Sequence, residues 1–433
     1  MIVKIDVSCR TRGWIIGFNM TLIYHRLMSG ALLLFWLYAL PSFSAPLTLA
    51  HACELAEQNS PVLRIIRSQA DGAQSALETA GAYPNPEVEF GAGNSQLLSP
   101  TVQNGHNSLM AISQPIELPA LRHSRQRGAE AGVVAGSALL DDARINLHSQ
   151  VKQAFLELLR RQDEALLAAE NYELLLQISN RIKQRVEVGE APRYELVKSE
   201  AESLTAQSVA KGAEIKVLQA KDRLRTLLGV PTLDQFEIVR PPPMAEKLPV
   251  IGELRAELLE NQPLLKFYAA ESARAAAKLD QERSLRTPQP TLKWSAERHP
   301  DVNLWRVGIS IPLPLWDRRS GPVGEALANL DRAQADHERA RLNLLGELDQ
   351  AYGRYQIAQR QLDIFETGLL RDAESAVKVA EAAYRYGERG ILDYLDAQRV
   401  FRSTRMDYLN ARYELQFALI DIERLRAADG ETK

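Results

Sequence analysis

The chain has 433 residues, 45% of them hydrophobic and 25% charged, with 52 basic against 55 acidic side chains and a formal net charge of −3. That is enough apolar material for two to three domains' worth of folded structure, and it argues against long disorder. Charges of both signs are scattered along the sequence without the basic stripe that nucleic-acid binding needs, so no nucleic-acid partner is expected.

In chain order the first signal is "YHRLMSGALLLFWLYALPSFSAP", where His25 and Arg26 precede an apolar run from Ala31 to Leu40 and small residues follow around Ser42 and Ser44. This is the layout of a secretory signal peptide over residues 1–44, with cleavage expected near Ser44. The run is too short to cross a bilayer as a helix. Cys9 would leave with the leader. Cys53 would then stand alone within "LTLAHACELAEQ", which reads as helix, so neither an internal disulfide nor a lipid-anchored cysteine is expected.

The remainder repeats itself at an offset of about two hundred residues. "NSPVLR" at 59 answers "NQPLLK" at 261, "PNPEVEF" at 84 answers "PQPTLKW" at 288, "ISQPIEL" at 112 answers "ISIPLPL" at 309, and Gly189-Glu190 answers Gly387-Glu388. Four matches in one order mark a duplicated unit. The expected division is a first repeat over 45–228, a linker over 229–250 stiffened by Pro241 to Pro243, a second repeat over 251–428, and a short tail over 429–433.

Each repeat reads as short helix, two strands, very long helix, turn and long helix. In the strands Val88, Phe90 and Ala92 alternate with Glu87, Glu89 and Gly91, and Trp305, Val307, Ile309 and Ile311 share one face against Arg306, Gly308 and Ser310. Such strands suit either a hairpin packed on the helices or a segment crossing a membrane. The last helix carries Tyr394, Ala397, Phe401, Thr404, Tyr408, Ala411, Leu415, Ala418, Ile422 and Leu425 in steps of three and four, a heptad seam. Its partner repeats the rhythm through Leu344, Leu348, Ala351, Tyr355, Ala358, Leu362, Phe365 and Leu369, and the first half follows with Val151, Phe155, Leu158, Ala165, Ala169, Tyr172 and Leu176. Helices starting near Ala120 and Gly321 are predicted to run about 65 residues, roughly 100 Å each. Four strands cannot close a spanning barrel, and open strand edges cannot face lipid. If these strands lie in a membrane, several chains must close one barrel together.

These features resemble the TolC-like outer-membrane efflux ducts, over nearly the whole length from "LTLAHACELAEQNSPVL" to "ALIDIERLR". The resemblance implies a mostly α-helical protomer that gives four strands to a trimeric, twelve-stranded outer-membrane β-barrel and its helices to a periplasmic tunnel. It implies a homotrimer set in outer-membrane lipid, joined by a periplasmic adaptor protein to an inner-membrane pump of the resistance-nodulation-division type. The segment "ISIPLPLWDRRSGPVGEA" is similar to the branch serving pumps for cobalt, zinc and cadmium; a multidrug or type I secretion duct is the alternative within the family. A periplasmic coiled-coil adaptor is the alternative of another class, although adaptors have one hairpin where this chain has two.

The family closes its periplasmic end with acidic rings and with tyrosine and arginine links between helices. Matched to that pattern, "YRYGERGILDYLDA" places gate acids at Asp393 and Asp396, the arginine at Arg389 and the tyrosine at Tyr384, with Glu195 as a linking acid in the first repeat. First-turn acids also favour a helix dipole, so capping is the plainer role for the two aspartates. The turns at Gly189, Glu190, Gly387, Glu388 and Gly390 are the expected adaptor-docking tip. Histidines 51, 106, 123, 148, 299 and 337 are scattered without ligand spacing, and neither a phosphate loop nor a nucleophile motif is present. No metal site, cofactor or enzymatic activity is expected.

Overall fold

A computed structural model describes residues 46–95, 105–230, 236–242 and 248–427. The predicted leader, with its cleavage site, lies outside the described residues, as do Pro243 and most of the first strand loop. The main body comprises Leu47–Asp234 and Ile238 onward.

The first repeat opens with α1 (Leu49–Asn59) and α2 (Pro61–Gly81), followed by strands β1 (Glu87–Ser95) and β2 (Gly105–Pro115). Helices α3 (Pro119–Glu187) and α4 (Arg193–Leu228) then form the first hairpin. The second repeat has α5 (Ile251–Asn261), α6 (Pro263–Ser284), β3 (Thr291–Arg298) and β4 (Asn303–Ser310). It closes with α7 (Ser320–Ile364), α8 (Leu370–Arg385) and α9 (Ile391–Arg426). Local geometry recurs between the repeats. Ser60 and Gln262, each preceding a helix-opening proline, have φ/ψ of −63°/118° and −62°/117°, the extended conformation that a following proline imposes.

Helix α3 spans 69 residues, hence roughly 100 Å. The second long helix differs from expectation. It breaks at a π turn, Phe365–Leu369, with Gly368 out of helical geometry. The local chemistry disfavours a continuous α-helix here: glycine costs about 1 kcal/mol relative to alanine. The Thr367 hydroxyl donates back to the carbonyls of Asp363 (2.7 Å) and Ile364 (3.2 Å), a contact that bends helices.

The equatorial core is built from α5, α6, α7 and α9, through Leu254, Leu258, Leu265, Leu344, Leu348, Ala351, Tyr355, Ala418, Ile422 and Leu425. The heptad positions of α9 and α7 are those expected as far as Ala358, whereas Leu369, the last residue of the π turn, is exposed. In α3 the seam shifts by one residue. Ala168 and Leu175 are buried where Ala169 and Leu176 were expected, and Leu176 is exposed. A straight helix drifts about 20° per heptad against a 3.5-residue repeat, so over a helix this long the buried stripe migrates.

The four strands form one antiparallel sheet in the order β1-β2-β3-β4. Its register carries the argument about function. Val88 pairs with Ile112 and Phe90 with Met110; Ile112 and Met110 pair in turn with Trp294 and Ala296; and these meet Val307 and Trp305. Directly paired residues share a face, so the apolar positions of all four strands merge into one band. Phe90 and Trp305 are both 75% exposed and Val307 63%. The opposite face is polar, with Arg306 Nη1 on Glu297 Oε1 at 3.0 Å.

Between the repeats, the linker is fastened at Arg240. Arg240 donates to Asp163 Oδ1 (2.5 Å) and to the Tyr413 hydroxyl (3.0 Å), and Tyr413 donates to Asp163 Oδ2 (2.8 Å). This triangle ties the linker to α3 and α9. Burial, with the Asp163 charge beside it, pushes the Tyr413 phenol up to about 12.

Candidate functional site

The expected gate and tip residues meet at the turn end of the two hairpins. Each turn follows the same recipe. Gly189 (φ 80°) and Gly387 (φ 76°) occupy the left-handed conformation just past a helix end, where a side chain would be strained. The amides of Glu190 and Glu388 reach back to the carbonyls of Arg185 (2.8 Å) and Ala383 (2.9 Å), closing helix-terminating loops that leave the glutamate side chains at the exposed apex. Gly390 precedes α9 in extended conformation, and its carbonyl accepts from the Asp393 amide at 3.2 Å. Pro192 does the equivalent work before α4, its carbonyl accepting from the half-buried Glu195 at 3.0 Å.

A small core holds the two hairpins together here. Leu175, Ile178 and Ile182 of α3 and Ala206 of α4 pack with Val377 of α8 and Ile391 and Tyr394 of α9. Tyr394 anchors the first turn of α9, so its neighbour Asp393 and the next-turn Asp396 are left on the outer flank, with side chains 54% and 59% exposed. Each aspartate has a cationic neighbour in its own chain. Arg389 lies 3.6 Å from Asp393, and Arg399 bonds Asp396.

Tyr384 makes the link that sequence reasoning did not identify. Its ring stacks on Tyr394 with centroids 6.2 Å apart, and its hydroxyl accepts from Arg185 Nη1 at 2.8 Å. Within one chain, therefore, the tyrosine is joined to Arg185 at the end of α3, while Arg389 turns to Asp393. Arg185 carries no local motif; the packing of α9 on α3, with α8 paired to α9, brings it within reach. The contact joins the two repeats at their turn end, and Arg185 Nη2 also reaches the Glu190 carbonyl of its own turn at 3.5 Å.

Chemically this end offers exposed carboxylates, guanidinium partners and a tyrosine–arginine hydrogen bond. Among the described residues no group of three or more histidine, cysteine, aspartate or glutamate side chains could hold a metal ion. Nor is any helix among them long and apolar enough to cross a membrane. His148 lies 3.3 Å from Glu57 and His299 3.3 Å from Glu297, and each of these carboxylates is shared with an arginine, Arg144 and Arg306 respectively.

Comparison with known proteins places this architecture. The chain is similar to the cobalt-zinc-cadmium resistance protein CzcC of Cupriavidus metallidurans, at 27% identity over 88% of this chain and 90% of that protein. It is similar to the pyoverdine export outer membrane protein OpmQ of Pseudomonas putida at 22% identity, over 83% and 81%. The fold matches the outer-membrane channel OprN with a TM-score of 0.79 at 19% identity, covering 88% of this chain and 89% of that one. The profile of the outer membrane efflux protein family matches residues 52–230 and 254–431, most of both repeats. The chain belongs to the outer membrane efflux protein family and is an outer-membrane efflux channel with its helical tunnel in the periplasm.

Proposed function

We propose that three copies of the chain form a passive exit duct for divalent heavy-metal cations delivered by an inner-membrane pump through a periplasmic adaptor. One observation carries the assembly: a four-stranded open sheet whose register gathers an exposed apolar band on one face. In lipid the free edges of β1 and β4 need partners, and the described residues of a single chain have none to give them. Three copies, the number that the family resemblance implies, supply twelve strands; two would supply eight. The mass of the detergent-extracted assembly is the test, with a trimer expected and any other closed number refuting it.

The cargo reading is supported by the higher identity and wider coverage of the cobalt-zinc-cadmium resistance relative compared with the pyoverdine exporter. A gene deletion that sensitises cells to zinc, cadmium or cobalt but not to organic compounds is expected; the opposite pattern favours a duct for organic cargo. At the turn end, Asp393 and Asp396 of three copies would set six carboxylates around the constriction, with Arg389 and Arg399 offsetting their repulsion. Such a field concentrates cations. Replacing both aspartates by alanine is expected to remove most block by a trivalent cation in planar-bilayer conductance, and unchanged block returns them to helix capping. The two glycine turns, with Glu190 and Glu388 at their apices, are the surface on which an adaptor would dock.

A further inference from the structure

The sheet meets the helices in a collar whose chemistry changes abruptly. Three short contacts bring it together. The Ile116 amide donates to the Pro290 carbonyl (2.8 Å), the Leu118 amide to Gln289 Oε1 (2.9 Å), and Arg319 to Glu282 Oε2 (2.5 Å). The end of β2, the end of α6 and the start of α7 therefore lie at one level. Just on the sheet side, the chain leaving β4 prolongs the apolar band: Ile311, Leu313 and Leu315 are all exposed, and Trp316 is 93% exposed.

On the helical side of that level the cations outnumber the anions. Residues 117–127, 280–287 and 317–319 contain seven arginines and four carboxylates. The carboxylates are already engaged. Glu117 bonds Arg125, Glu282 serves both Arg319 and Lys278, Asp280 serves both Arg127 (2.9 Å) and Arg283 (3.7 Å), and Asp317 accepts from the Arg319 amide (2.7 Å). The Arg319 bond and the Lys278 contact also lower the Glu282 carboxyl, keeping it charged and committed. Arg286 and Arg318 are exposed, and among the described residues neither has a carboxylate partner. An apolar band ending in an exposed tryptophan and then in surplus arginines is the profile of a bilayer boundary with negative headgroups.

We propose that this collar binds the anionic headgroups of phospholipids in the periplasmic leaflet of the outer membrane, with Arg286 and Arg318 as the headgroup contacts and Trp316 seated at the acyl boundary. The inference rests on the outer-membrane placement of the sheet and adds a lipid class to it. A basic residue near an anionic surface is worth about 1 kcal/mol, about fivefold in affinity.

The test uses the full-length channel purified in detergent, incubated with equal amounts of phosphatidylglycerol and phosphatidylcholine, and freed of excess lipid before the retained lipid is measured by mass spectrometry. About fivefold enrichment of phosphatidylglycerol is expected. It should fall toward parity in 0.5 M salt and in the double variant Arg286→Gln, Arg318→Gln, with the assembly mass unchanged. Parity in the wild-type channel, or enrichment that survives the double substitution, overturns the proposal. Loss of the assembly in the variant also overturns it, by assigning the collar to contacts between copies. A protein that stays soluble without detergent and retains neither lipid refutes the membrane placement itself, which is a separate result.

Discussion

The contact between Arg185 and Tyr384 gives the sharpest prediction, because one hydroxyl joins the two repeats at the end where the duct would close. Tyr384→Phe removes that acceptor and keeps the ring, so the stack on Tyr394 and the small core around Ile182 and Ile391 stay in place. A hydrogen bond to a charged group contributes about 1.5–3 kcal/mol when well shielded. Both partners here are only half-buried, so about 1 kcal/mol per protomer is the appropriate figure. If three protomers open together, the loss is about 3 kcal/mol, roughly a 150-fold shift in the closed-to-open ratio. Single-channel recording in planar bilayers reads it directly as a rise in resting open probability. Arg185→Ala should have at least this effect, because it also removes the guanidinium over the Tyr384 ring and its 3.5 Å contact with the Glu190 carbonyl, and the double variant should add little to it, because the Tyr384 bond is already lost. Resting conductance unchanged by Tyr384→Phe, or fully additive effects of the two changes, would refute the latch.

Three further outcomes follow from other parts of the molecule. Phe90→Arg or Val307→Arg places a charge in the exposed apolar band at a cost of about 2–4 kcal/mol at membrane midplane and should sharply lower the yield of assembled channel. Ser310→Arg, on the polar face, should be tolerated; equal damage from both would misplace the lipid-facing side. The Tyr413 phenol is raised from its ordinary 10 to about 12, so its contribution to stability is complete below pH 10 and is lost as the pH climbs toward 12. Denaturation profiles should show this decline, on the order of 2 kcal/mol, and Tyr413→Phe should remove it. Burial raises the Cys53 thiol to about 11, leaving about one thiolate per thousand at pH 8. Maleimide labelling of the folded channel at that pH should therefore be slow, and become rapid on unfolding.

What the sequence determined by itself is the part that depends on local periodicity. The duplication was legible because the helix-opening prolines and the turn glycines each answer a conformational demand within a few residues, and both repeats make the same demand. The two-faced strands were legible because side chains alternate at every residue, and the seams of α9 and the first part of α7 because bulky and small residues recur every three or four. The tertiary structure alone decided four things. It paired Tyr384 with Arg185, 199 residues away, and fastened Arg240 to Asp163 and Tyr413. It moved the α3 seam from Ala169 and Leu176 to Ala168 and Leu175, and it merged the apolar faces of two distant strand pairs into one band. In each case the outcome depends on how separately formed segments are set against each other. A small rotational drift accumulated over a 69-residue helix and the registry of β2 against β3 select neighbours that no local spacing encodes.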